Sequence, residues 1–146
     1  MDYNKEPKKE EYLNSAIEVC QKHNIIFPTI KMLENPKLLP DKIKQELKNV
    51  GMDDLNPLNL FRISWFNEPV EKGGQYLDIP NYIEIPPELS GIKSRIIMLL
   101  GAFFPTGSHK VGASYGPLVT RITSGRFDPK LHKSLWPSTG NYCRGG

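Results

Sequence analysis

Residues 104–110, Phe-Pro-Thr-Gly-Ser-His-Lys, decide how this chain is read. Small, turn-forming residues deliver one lysine, Lys110, from the end of a continuous apolar run, Ile96 to Leu100. That run is short and bounded by turn residues, the pattern of a buried strand in an α/β sheet. After the lysine, Val111, Tyr115, Leu118, Val119 and Ile122 recur at helical spacing, which predicts a helix over residues 109–124 closing at Gly125. Pro117 falls inside it, and a kink after two turns is expected there.

A second segment complements the first. Ser138-Thr139-Gly140-Asn141 offers two hydroxyls, an amide and exposed backbone N–H groups. If a helix starts at Tyr142, its N-terminus would favour an anion such as a carboxylate. Leu135-Trp136 reads as a short strand entering this loop. A lysine at a helix start lies near the positive end of the helix dipole. That position, with partial burial, disfavours its protonated form and leaves an amine able to bond an aldehyde and then act as a general base. Gly107 and Ser108 suit a turn where backbone approaches a ligand closely. Read alone, Gly-Ser-His-Lys also fits an ordinary solvated helix start, and Ser-Thr-Gly-Asn an ordinary turn.

Taken together the two segments resemble a known family. Pro105 to Lys110 looks like the cofactor-lysine motif of the tryptophan synthase β family, and Ser138 to Asn141 like the substrate loop of cysteine synthase and threonine dehydratase relatives. All are fold type II pyridoxal-phosphate enzymes. The resemblance covers residues 95–146 best, and Asn56-Pro57-Leu58 is similar to the Thr-Pro-Leu that opens many such chains. It implies a three-layer α/β/α architecture, pyridoxal 5′-phosphate as cofactor and a small amino acid as substrate. Lys110 would be the cofactor-bonding catalytic lysine and the proton shuttle at Cα. His109 would lie near the cofactor phosphate and Asn141 at the ring hydroxyl oxygen. Ser138, Thr139 and Gly140 would hold the substrate carboxylate. The implied reaction is β-elimination or β-replacement, with an ammonia-lyase of the threonine or diaminopropionate type as the alternative. The chain departs from the family at Gly112, where tryptophan synthase β carries Asn. No glycine-rich phosphate loop and no residue facing the pyridine nitrogen is found. Gly73-Gly74 and Gly145-Gly146 do not replace that loop. The expectation is an N-terminal portion of a larger enzyme, or one piece of a split one completed by a partner chain or homo-oligomer. A non-catalytic piece that packs against a partner is the remaining alternative. The halt at Arg144-Gly145-Gly146, just after the loop, reads as mid-element or as a frayed tail.

Outside these segments the chain divides at residues 55 and 56. Residues 1–55 read as an N-terminal helical extension, and residues 56–146 as an incomplete α/β domain. Leu13, Ala16, Ile17 and Cys20 mark an amphipathic helix over residues 9–23, and Pro28 follows its end. A short helix is expected over residues 29–34. Another is expected over residues 41–50, with Asp41 as N-cap, Ile43, Leu47 and Val50 as its stripe and Gly51 beyond its end. Residues 56–69 are aromatic-rich and read as extended, with Trp65, Phe66, Phe103 and Phe104 in the core. Residues 67–81 read as a loop or hairpin connection, residues 83–85 as a short strand and residues 127–135 as a connection.

Bulk properties bound the function. The 146 residues suffice for one domain and its core, with 38% hydrophobic and 24% charged residues. Nineteen basic and 16 acidic residues leave a net charge of +3, too even a balance to argue for nucleic acid. The first ten residues are polar and charged, which argues against a signal peptide, and no run reaches the roughly 18 apolar residues of a membrane span. Cys20 and Cys143 have no CxxC spacing and the three histidines no metal-ligand spacing, so zinc and a disulfide framework are not expected. Cys143 is read as a packing residue. A reducing, cytoplasmic setting is the default expectation.

Overall fold

The computed structural model describes residues 9–69, 72–129 and 131–146. The charged run at residues 1–8 lies outside the described residues, as do positions 70, 71 and 130 within the two expected connections. The chain is mixed α/β and forms two compact units. One comprises residues up to Ile26 together with Lys110–Gly146, the other Phe27–His109. The position between residues 55 and 56 lies inside the second unit.

The Phe27–His109 unit begins with α2 (Ile30–Glu34), after α1 (Lys9–Lys22) of the other unit. Thr29 caps α2, its side-chain oxygen accepting from the Met32 N–H at 3.3 Å. Helix α3 (Asp41–Leu47) follows, with Pro40 at the N-cap, so Asp41 is its first residue and not its cap. An acidic residue in the first turn still complements the dipole. The helix ends at Lys48, three residues before the expected Gly51 stop.

The main correction falls on residues 56–69. Pro57–Arg62 forms a 3₁₀ helix where an extended stretch was expected. Asn56 caps it, its Oδ1 accepting from the Leu58 N–H at 2.9 Å, and Pro57 occupies a first-turn position. Both are helix-start signals, and aromatic content does not override them. The turn delivers Phe61 into the core, where it packs with Leu39, Ile43 and Leu47, flanked by Met32, Leu58 and Tyr76. Of the four aromatics expected inside, Phe104 is buried, while Trp65, Phe66 and Phe103 are only half-buried.

Around this small core lies a set of buried polar side chains. Arg62 is 4% exposed. One terminal nitrogen donates to Val50 O at 2.6 Å and Asn59 Oδ1 at 3.0 Å, the other to Leu47 O at 2.8 Å. The guanidinium therefore caps the end of α3, satisfying carbonyls that the helix leaves without partners. Asn59 donates to Gly51 O and Asp54 O at 2.8 and 3.0 Å. Asn67 donates to Arg62 O and Phe103 O at 2.7 and 2.8 Å, and Asn81 donates to the carbonyls of Asn67 and Trp65. Burial pushes the Arg62 guanidinium below its ordinary range, with Tyr76 and Asp54 pulling the other way.

Strands β1 (Tyr82–Ile85) and β2 (Ile96–Leu99) pair antiparallel, Tyr82 opposite Leu99 and Ile85 opposite Ile96. Helix α4 (Pro87–Ser90) lies in their connection and ends at Gly91, whose φ of +67° supplies a left-handed C-cap. Among the described residues these two strands are the whole sheet. The expected burial of β2 is therefore not met: Ile97 is 52% exposed and Leu99 48%. An apolar run reads as buried only when layers cover both faces of its sheet. Arg95 holds Glu84 through two contacts of 2.8 and 2.9 Å at the edge of this hairpin.

In the other unit α1 packs on α5 (Lys110–Thr123), and α6 (Asn141–Gly145) also packs on α5. Pro117 lies within α5, which runs on to Thr123 and closes at Gly125 with φ +71°. Leu135 and Trp136 form no strand. Among the described residues no helix is long and apolar enough to cross a membrane.

Two consequences can be measured. Arg62→Met keeps the apolar stem but strips the carbonyls of Leu47 and Val50 of their donor. It is expected to lower the unfolding free energy by about 2–4 kcal/mol, read as a lower denaturant midpoint at unchanged slope. The second concerns alkaline pH. Burial pushes the Tyr115 phenol from its ordinary 10 up to about 12, and burial also raises Tyr76. The folded chain holds these protons where the unfolded chain releases them. Their stabilising contribution is complete below about pH 10 and is lost as pH rises toward about 12. Melting temperatures across that range should fall, and Tyr115→Phe should flatten the decline.

Candidate functional site

The segment before Lys110 is conformationally strained. Gly101–Phe103 and Pro105–Gly107 each form a 3₁₀ turn. Thr106 has φ 65° and ψ 8°, a left-handed conformation at a β-branched residue, and Gly107 follows with φ +70°. Such a conformation costs about 1–2 kcal/mol at a non-glycine residue. The Thr106 hydroxyl oxygen is also buried without a hydrogen-bond partner. Phe104, Pro105 and Ser108 are buried and anchor the turn. The expected close turn is present, and glycine stands where a positive φ requires it.

His109 and Lys110 emerge from this turn exposed. The imidazole of His109 stacks on Trp65, with ring centroids 5.6 Å apart and planes inclined at 26°. Trp65 in turn meets Phe104 edge-on at 4.9 Å. Lys110 is the first residue of α5, as expected. The partial burial expected for it is not met, because its side chain lies at the surface.

The loop Ser138–Gly140 leads directly into α6, which begins at Asn141, one residue before the expected start. With five residues, α6 carries too little aligned backbone for the dipole argument to weigh much. All four of Ser138, Thr139, Gly140 and Asn141 are exposed. The loop is partly self-satisfied: Gly140 N–H donates to Ser138 Oγ at 3.1 Å, which leaves the Ser138 hydroxyl proton available to an acceptor. Gly140 O accepts from both the N–H and the thiol of Cys143, each at 3.2 Å. Cys143 is therefore an exposed residue bonded to the loop, and not the packing residue expected. Cys20 is half-buried and free, with its thiol pushed up by burial.

The structure brings the lysine and the loop-bearing helix together through two contacts that the sequence reading missed. Ser114 Oγ, almost fully buried, contacts Lys110 O at 3.2 Å and Tyr142 O at 3.3 Å. Gly145 sits against the backbone at the start of α5. A Cβ there would lie 2.6 Å from Val111 N and 2.8 Å from Lys110 C. A Cβ on Gly146 would collide with the Trp136 ring, which meets Tyr142 edge-on at 5.4 Å. The signal for this approach lay in the small residues themselves, Gly145 on one side and Ser114 on the other. A cleft of this unit lies elsewhere, lined by Ser15, Ala16, Ile122, Gly125 and Phe127. Ile122 is twelve positions along α5 from Lys110, about 18 Å at helical rise. Compared with known proteins, the chain matches no family model, no curated protein and no solved structure.

The contact at Gly145 predicts that Gly145→Ala forces α6 off the first turn of α5, since the atoms in the way are backbone and cannot yield. A loss of about 1–3 kcal/mol is expected, with a change in Trp136 fluorescence as Tyr142 moves. An unchanged melting temperature and spectrum would show that the two helices are not held there.

Proposed function

We propose that this chain carries the lysine and substrate-carboxylate segments of a pyridoxal-phosphate enzyme of fold type II, acting on a small amino acid by β-elimination or β-replacement. The three-layer α/β/α architecture is part of this proposal. The observation that carries it is the packing of α6, which directly follows Ser138–Gly140, on the turn of α5 that begins with Lys110. Two segments, one with an amine and one with anion donors, thereby adjoin helices that touch each other.

The residues present fit the cofactor in chemistry. Lys110 is an exposed residue and carries the amine that would bond an aldehyde. When bound, pyridoxal phosphate supplies an electron sink for charge at the substrate Cα. Lys110 would be the residue that holds the cofactor through its aldehyde, and its Nζ would be the base that moves a proton at the substrate Cα. The Ser138 hydroxyl, Thr139 and the Gly140 backbone orient the substrate carboxylate. For the Gly140 N–H to join them, its bond to Ser138 Oγ must open. Asn141 would hold the ring oxygen, and His109 would lie toward the phosphate.

The test is direct. Pyridoxal phosphate added to the full chain should produce an absorbance band near the visible edge. Borohydride reduction should then fix one phosphopyridoxyl group on Lys110, mapped by mass spectrometry. Lys110→Ala should remove both signals. No band, or label scattered over surface lysines and unaffected by Lys110→Ala, would refute the assignment.

A further inference from the structure

We infer that Trp65 and Gly101 are positioning residues that hold the His109 imidazole as a preset donor for a phosphate monoester. The inference rests on the proposed cofactor reading, in which His109 meets the phosphate. It adds how an exposed side chain is kept in one orientation. Three observations within the Phe27–His109 unit carry it. The Trp65 indole stacks on one face of the imidazole, at 5.6 Å and 26°, within the range of favourable aromatic pairs. Gly101 closes on the ring from its own position: a Cβ there would lie 3.1 Å from His109 Nδ1 and 3.4 Å from His109 Cβ. Trp65 is itself fixed, edge-on against buried Phe104 at 4.9 Å, while its carbonyl accepts from Asn81 N–H at 2.8 Å.

An exposed histidine ordinarily samples several rotamers, and binding then costs the loss of that freedom. Stacking on an anchored indole removes the cost beforehand, which is worth about a two- to tenfold gain in affinity for one side chain. With Nδ1 beside Gly101, the ring is held in one orientation, in which Nε2 is the nitrogen left to a phosphate oxygen. Charge on the ring strengthens both contacts, since an indole face attracts a cation and an anion accepts from one. No side chain larger than hydrogen fits at position 101 without moving the imidazole.

The experiment compares pyridoxal phosphate with pyridoxal, which lacks the phosphate, on the full chain. Binding is followed by the visible-edge band in wild type and in Trp65→Ala, Trp65→Phe, Gly101→Ala, His109→Ala and Trp65→Ala/His109→Ala. Trp65→Ala is expected to weaken pyridoxal phosphate about two- to tenfold and leave pyridoxal unchanged. Trp65→Phe should restore part of the loss, because a phenyl ring still stacks, and Gly101→Ala should weaken the phosphorylated ligand alone. In the His109→Ala background Trp65→Ala should cost nothing more, since it acts through His109. Equal losses for both ligands, or additive losses in the double variant, would reduce Trp65 to a packing role and overturn the inference. If His109→Ala leaves pyridoxal phosphate binding intact while Lys110→Ala abolishes it, the positioning inference falls and the cofactor reading stands. If wild type binds neither ligand, both fall.

Discussion

The buried guanidinium of Arg62 is the interaction on which the Phe27–His109 unit depends. This unit builds its core from one two-turn helix, short 3₁₀ turns and the segments between them. Short elements leave a large share of backbone carbonyls without partners in the main chain, and burying Phe61 among them would be costly. Arg62 resolves this by standing at the end of α3 and donating to the carbonyls of Leu47 and Val50. Asn59, Asn67 and Asn81 extend the same solution, each donating to two carbonyls from other segments. Side chains here do the work that ladders do in regular sheets. Arginine suits the position because its planar fork reaches several acceptors at once.

In the other unit the constraint is steric. Gly145 lets the end of α6 reach the backbone of α5, and Ser114 bridges toward carbonyls on both helices. A helix of five residues has little stability of its own, so α6 exists because it is packed. The loop Ser138–Gly140 inherits its place from that packing. The loop is exposed, and its Gly140 N–H is bonded internally to Ser138 Oγ.

Periodicity and punctuation made much of this legible. The stripes Leu13–Ala16–Ile17–Cys20 and Ile43–Leu47 placed α1 and α3, and Lys110 at a helix start followed from the turn residues before it. What was not legible depended on contacts between distant segments. Asn56-Pro57 is a helix-start signal, yet the aromatic residues after it read as a strand. The polar role of Arg62 could not be read from one charged residue in an apolar run, because its acceptors lie on another element. The burial of β2 was misjudged because apolar composition tells which residues favour cover, whereas cover comes from layers that sequence does not position. For the candidate site, the residue types were visible, while Trp65 was visible only as core and Gly145 only as mid-element or tail, and Ser114 gave no signal of its own.

The strain at Thr106 is held in place by its neighbours. Two successive left-handed residues and an unpartnered hydroxyl would relax if their surroundings allowed it. They persist because Phe104, Pro105 and Ser108 are buried on either side and fix the path of the chain. A glycine at position 106 would give the same path at less cost, so the turn is not the most stable solution for its geometry. The turn leaves His109 and Lys110 exposed directly after a buried anchor. A flexible loop would present the His109 side chain over a wide range of orientations. A histidine that leaves such a turn and stacks on Trp65 gives up its orientational freedom in the fold itself, so the strain at Thr106 and the order of the His109 ring belong to one local arrangement.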